Sequence, residues 1–307
     1  MILGQMAMAA SPSWTIQLAG RLITGGGGVL LNVQMTKMVA DWFAGKEIAT
    51  AMAIFINSWP AGIALALLSL PLIGGAFGVS GVDVAVAGIV AVALVFFALA
   101  YRPPPQVAAV KTASSWPDTA AMLAVIVAGV IWGLFNVGFA MIFSFGPTLL
   151  DERGWSISAA GSVISIVLWL AVISVPSGGF LADRTGRLEL VLNGGCILFA
   201  LGMLAMPRSD AVISIVTVLG LVSGLAAGPI MSLPARALRP ETRSVGMGIF
   251  YTLYYGTMML GPVVAGALAK ATGQAGTAFD FGAAALLACP LLLWGFNRLP
   301  AAQPKIV

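Results

Sequence analysis

The sequence predicts an all-helical integral membrane protein, and three observations predict it. Hydrophobic residues fill 60% of the 307 positions and charged residues only 8%, whereas soluble domains carry about a quarter charged residues. The apolar residues fall in long unbroken runs, each meeting the roughly 20 residues a bilayer core requires. Arg21 apart, the few charges sit at the ends of those runs or between them. Histidine is absent, which removes the commonest general base and the usual zinc and haem ligand. Cys196 and Cys289 lie inside apolar runs and read as small hydrophobes rather than a disulfide or metal site. The expectation is therefore no enzyme, no cofactor and no metal. The net charge of +4 is dispersed over short loops, which gives no nucleic-acid partner.

Taken in order, Met1 to Ala10 is an apolar stub too short to span and without the basic start of a signal peptide. Nine runs follow: Trp14 to Ala40, Ile48 to Ile73, Val82 to Tyr101, Ala120 to Leu150, Ser158 to Leu181, Leu188 to Met206, Ala211 to Leu238, Ser244 to Ala271 and Phe279 to Leu299. Between the third and fourth lies the long polar connection, Arg102-Pro103-Pro104-Pro105 through Pro117-Asp118, whose prolines disfavour helix. It divides the chain into residues 1–101, a linker over 102–118 and residues 119–307. Gly25 to Gly28, and Gly220, Gly224 and Gly228, are read as small-residue surfaces for close helix packing.

The densest charge is in Gly178-Gly179-Phe180-Leu181-Ala182-Asp183-Arg184-Thr185-Gly186-Arg187, a tight loop between the fifth and sixth runs. Its small residues permit close approach of a neighbour, Asp183 suits a helix N-terminus, and the arginines suit the headgroup zone. This G-x-x-x-D-R-x-G-R spacing resembles the signature loop of the major facilitator superfamily, where it follows the second helix of each six-helix half. The resemblance implies a two-bundle fold and a conformational role for Gly179, Asp183, Arg184, Gly186 and Arg187. Placing the loop in the cytoplasm puts the linker, the C-terminus and most Lys and Arg, including Lys111 and Lys305, on that side of a plasma (inner) membrane.

Lys46-Glu47-Ile48-Ala49-Thr50-Ala51-Met52-Ala53-Ile54-Phe55 also resembles Glu241-Thr242-Arg243-Ser244-Val245-Gly246-Met247-Gly248-Ile249-Phe250, as an internal repeat. Pairing Phe55 with Phe250 carries the partner of the signature loop ahead of Met1. On the family pattern, about 75 to 80 residues and the first two helices are then missing. Met1 falls in the third helix, the first block holds the fourth to sixth, and residues 119–307 hold a complete six-helix bundle. A chain so shortened is expected to transport poorly.

The resemblance makes Trp14 to Ala40 a cavity-lining helix. Gln17, Arg21, Thr24, Gly28, Asn32 and Thr36 recur every three or four residues and share one helical face. Arg21, seven residues in from Trp14, needs water, a partner or a ligand at that depth. Asn57, Trp132, Asn136, Tyr251 and Tyr255 are further cavity candidates. Pro60 with Gly62 and Gly261 with Pro262 are matching candidate hinges. No carboxylate lies well inside a run, so no buried proton relay is visible and the coupling ion is unassigned. Arg21 favours a small organic or inorganic anion, moved by alternating access. Ser58-Trp59-Pro60-Ala61-Gly62, Asp41-Trp42-Phe43 and Trp132-Gly133-Leu134-Phe135-Asn136 with Phe145-Gly146-Pro147 look like the cyanate-permease-like branch. Export of hydrophobic drugs, and a non-transporting scaffold or sensor, are the alternatives.

Overall fold

The structure is a computed structural model that describes residues 1–43, 46–102 and 115–302. Most of the expected linker, together with Lys111 and Lys305, lies outside the described residues. Ten α-helices follow in order: α1 Ile2–Ala10, α2 Trp14–Phe43, α3 Ile48–Ala100, α4 Thr119–Asp151, α5 Ile157–Thr185, α6 Leu188–Ala205, α7 Val212–Ser223, α8 Ala227–Ala237, α9 Arg243–Thr272 and α10 Gly276–Asn297. Among the described residues seven helical segments are long and apolar enough to cross a membrane. The run beginning at Trp14 is helical throughout but is not one of the seven, because its glycines, Gln17 and Arg21 dilute its apolar content.

Two compact units are formed, Met1–Met38 with Gly62–Thr112, and Val39–Ala61 with Ala113–Val307. In the smaller unit α1 packs on α2 through Gly4 and Gly20; a Cβ on Gly4 would meet Gly20 O at 2.5 Å. Gln17 holds that corner, its side-chain amide donating to Met8 O and Ser11 O, both at 2.8 Å. The glycine run on α2 differs from expectation. A Cβ at Gly25, Gly26 or Gly28 would meet nothing, and only Gly27 is approached, by Met1. The break expected between Ile73 and Val82 is there but tight: two helices of α3 meet across a kink at Gly78, which leaves helical geometry (φ 69°, ψ −173°). That left-handed backbone is one a side chain would resist.

The larger unit is a bundle whose ends are set by local chemistry. Asp118 caps α4 by accepting from Ala121 N at 2.9 Å, Ser156 caps α5 through Ala159 N, and Gly186 ends α5 with φ 64°. The run expected over Ala211 to Leu238 is one of the seven spanning segments, Val212–Ala237, with a turn between α7 and α8 inside it. Pro229 has no N–H to offer Leu225 O, and Ser174 of α5 occupies the gap, donating to Leu221 O at 2.7 Å and accepting from Gly224 N at 3.1 Å. A Cβ on Gly224 would sit 2.5 Å from Val175 N. One on Gly178 would penetrate Leu225 O.

At the other end of α5 the connections are tied to backbone. Arg153 donates to Ser209 O at 2.8 Å and to Pro207 O, and the Glu152 carboxylate accepts from Ala275 N at 3.0 Å. Gly178→Ala should cost about 1–3 kcal/mol by overpacking. Gly194→Ala, whose Cβ would meet nothing, should be close to neutral. Thermal unfolding of both variants in detergent checks the contrast.

Candidate functional site

The glycine-flanked loop forms a junction of three helices in the larger unit. The last turns of α5 carry Gly179 and Asp183, the first turn of α3 carries Ala49 and Thr50, and α8 carries Gly228. A Cβ on Gly179 would lie 2.5 Å from Ala49 O, and one on Gly228 would lie 2.6 Å from the same oxygen and 3.1 Å from Gly179 Cα. Ala53 fills the remaining space against both glycines. Three backbones therefore meet with almost no side chain between them. This approach places the Asp183 carboxylate on the start of α3. Oδ2 accepts from Thr50 N at 2.6 Å and Oδ1 from Ala49 N at 3.4 Å. First-turn amides have no carbonyl of their own helix to bond, and they carry the positive end of its dipole. Ala49, Ala182 and Val191, with Leu188 against them, form the apolar floor. Arg184 lies over the Phe180 ring at 5.6 Å, while Gly186 and Arg187 are exposed in the turn.

A second charged contact involves the same stretch, and the sequence reading missed it. Arg243, the first residue of α9, donates from Nη1 to Asp41 Oδ1 at 2.7 Å and to Ala40 O at 3.4 Å. Both residues are 7% exposed, so this is a buried ion pair, whereas Arg208–Asp280 and Arg239–Asp118 are exposed. Arg243 Nε has no hydrogen-bond partner. The available signal was two opposite charges, Asp41 just before the first copy of the repeated segment and Arg243 within the second.

The cavity candidates are distributed over both units. In the smaller one Arg21 is exposed, and Thr24 and Asn32 are half-buried. Thr24 Oγ1 donates to Met1 O at 3.4 Å, so Thr24 and Gln17 both bond α1. In the larger unit Asn57 donates to Val172 O at 3.0 Å while its buried Oδ1 has no partner. Asn136 donates to Trp132 O of its own helix at 2.8 Å. Trp132 stacks on Phe135 and meets Tyr254, which is 4.7 Å from Tyr255 between ring centroids. Tyr251 is buried and Tyr255 is 37% exposed. The candidate hinges stay helical: Pro60 and Gly62 lie in α3 and Gly261 and Pro262 in α9. A Cβ on Gly261 would strike Val137 of α4.

Spanning helices that meet through glycine contacts and charged ends define a multi-pass membrane protein. Residues 121–306 match the family model of the Major Facilitator Superfamily, and the chain belongs to that family. It is 28% identical over 160 residues to the probable anion transporter 4, chloroplastic, of Arabidopsis thaliana, across 50% of the chain and 30% of the relative. It is also 28% identical over 185 residues to the multidrug resistance protein MdtG of Yersinia enterocolitica, across 55% and 43%. The chain thus spans under half the length of these curated relatives. The crystal structure of the human organic anion transporter MFSD10 (TETRAN) has the same fold, with a TM-score of 0.72, 19% identity, 95% of this chain covered and 75% of that one.

Asp41→Asn should leave Arg243 buried and unpaired, costing about 3–5 kcal/mol. The apolar pair Asp41→Leu with Arg243→Met should restore most of that loss. Unfolding midpoints in detergent decide it: equal losses in the single and double variants would show that charge pairing does not stabilise this junction.

Proposed function

We propose that the protein is a secondary transporter that moves a small organic anion across the membrane by alternating access. The observation that carries this reading is the charged junction of Asp183, Asp41 and Arg243. It is made of hydrogen bonds and an ion pair over glycine contacts, and such contacts separate and re-form without disturbing an apolar core. The likeness to a probable anion transporter supports an anion. So does the likeness to the cyanate-permease-like branch.

In this reading Arg21 attracts the anion, since a cation at membrane depth concentrates negative solutes. Trp132, Asn136, Tyr251 and Tyr255 offer aromatic faces, an amide and hydroxyls to the rest of the solute, and Asn57 offers a free carbonyl oxygen. Gln17, Thr24 and Asn32 share the helix of Arg21. The proposed location is a plasma (inner) membrane, with the signature loop and C-terminus in the cytoplasm.

A second reading, export of a hydrophobic drug, is favoured by the match to MdtG over 185 residues and by the aromatic cluster on α4 and α9. Uptake and resistance measured on one protein separate the two. In the natural full-length protein, Arg21→Gln should reduce anion uptake at least 10-fold with membrane insertion unchanged, an effect of about 1.4 kcal/mol or more. Unchanged uptake removes Arg21 from the solute path, and an altered drug-resistance profile supports the export reading. Asp183→Asn, which keeps an acceptor but loses the charge, should slow turnover without changing apparent solute affinity.

A further inference from the structure

Three of the membrane-crossing segments, Ala159–Thr185, Leu188–Ala205 and Val212–Ala237, bring one end each to a common cleft. The chain reverses between the first two at Gly186 and Arg187, so the cleft lies at a face of the bilayer. It measures about 460 Å3 and is lined by Gly186, Arg187, Leu188, Glu189, Leu190 and Arg236. Arg187 belongs to the turn between α5 and α6 and Arg236 to the last turn of α8, so two guanidiniums from separate parts of the chain share one space. Both residues are exposed. Among the described residues neither lies within ion-pair distance of a carboxylate, Glu189 of the same cleft included. Arg239 and Arg243, which follow α8, are instead paired with Asp118 and Asp41. Arg236 lies over the Phe296 ring with Cζ 5.8 Å from its centroid, a contact that uses the face of the guanidinium and leaves its edge donors unused.

We propose that this cleft binds the phosphodiester of an anionic phospholipid, with Arg187 and Arg236 donating to its oxygens. The planar fork of a guanidinium matches two phosphate oxygens at once, and basic pockets between membrane helices are the usual seat of anionic headgroups. Charge selects the kind of phosphate. Two arginines and Glu189 leave the lining with a net charge of +1, which one phosphodiester neutralises, whereas a terminal phosphate carries up to two negative charges. The apolar part of the lining selects a lipid over a free ion. Leu190 is 61% exposed and lies inside the span that begins at Leu188, on the bilayer side of Arg187. An acyl chain covers that leucine, and inorganic phosphate cannot.

Lipid binding here is independent of the solute. The bound headgroup would fasten the turn between α5 and α6 to the end of α8, and it gives Arg187 a ligand of its own, where the signature spacing assigns it only a conformational role.

The test uses the full chain in detergent, equilibrated with equal amounts of phosphatidylglycerol, phosphatidic acid and phosphatidylcholine carrying the same acyl chains. Lipid retained per chain is counted by mass spectrometry. Phosphatidylglycerol should be preferred, and the double variant Arg187→Gln with Arg236→Gln should lose one such lipid per chain with phosphatidylcholine unchanged. Each single variant should weaken phosphatidylglycerol binding about 5-fold. Arg239→Gln, which removes an arginine just beyond α8 but outside the cleft, should leave it unchanged. On the wild-type protein, excess inorganic phosphate should displace no more lipid than chloride at equal ionic strength does. Displacement by phosphate would make the cleft a free-anion site and overturn the lipid assignment. Equal retention of the three lipids, a preference for phosphatidic acid, wild-type retention in the double variant, or an equal loss in Arg239→Gln would overturn the proposal. Lipid preference and displacement are read on the wild-type chain, so they do not depend on any variant folding.

Discussion

The larger unit depends on how one helix end is satisfied. The first amides of α3 have no partner within their own helix, and a membrane protein cannot rely on water to reach every such group. Asp183 meets this need with both carboxylate oxygens, a charge-assisted arrangement stronger than a neutral one. It reaches them only because Gly179, Gly228, Ala49 and Ala53 leave no side-chain bulk at the crossing. The signature spacing is thus one device in two parts. The glycine four residues before the aspartate sets the distance between backbones, and the aspartate uses it.

The Asp41–Arg243 pair extends the same junction by different energetics. Burying two charges is costly, and their attraction roughly offsets that cost rather than adding stability. Such a pair is better suited to fixing a register than to strengthening a fold. Its surroundings agree, since Ala40 O also receives Arg243 while Arg243 Nε is left without a partner. An interaction that sits close to energetic balance exchanges partners at small cost.

Much of this was legible in the sequence, because membrane helices announce themselves by length and composition and the signature loop by spacing. Seven of the nine expected spans and the glycine contacts of α5 with α7 and α8 follow from residue type. What was illegible depended on neighbours. The turn between α7 and α8 is marked locally by Gly224 and Pro229, but the group that fills it, Ser174, comes from another helix. The run Gly25 to Gly28 of α2 looks like the glycines of α7 in sequence, yet within it only Gly27 meets a neighbour. Gln17 shares the polar face of Arg21 but bonds the end of α1. Asp41 and Arg243 read as loop charges because the sequence does not disclose that their helix ends converge.

The two ends of α5 differ in the kind of bond they make. At Glu152 and Arg153, side chains bond the backbone of the neighbouring turns at Ala275, Ser209 and Pro207, and all of these lie in the stretch from α4 to α10. At Asp183 the carboxylate instead bonds α3, a segment from far earlier in the chain, and the nearby Arg243 bonds the end of α2. One end closes the bundle on itself, and the other joins it to residues 39–61. Contacts of the first kind keep a bundle rigid whatever happens around it. Contacts of the second kind concentrate charge where two parts of the chain meet, so a change in either part is felt there first. That asymmetry makes Asp183, Asp41 and Arg243, rather than the periphery at Arg153, the contacts that hold the bundle to residues 39–61.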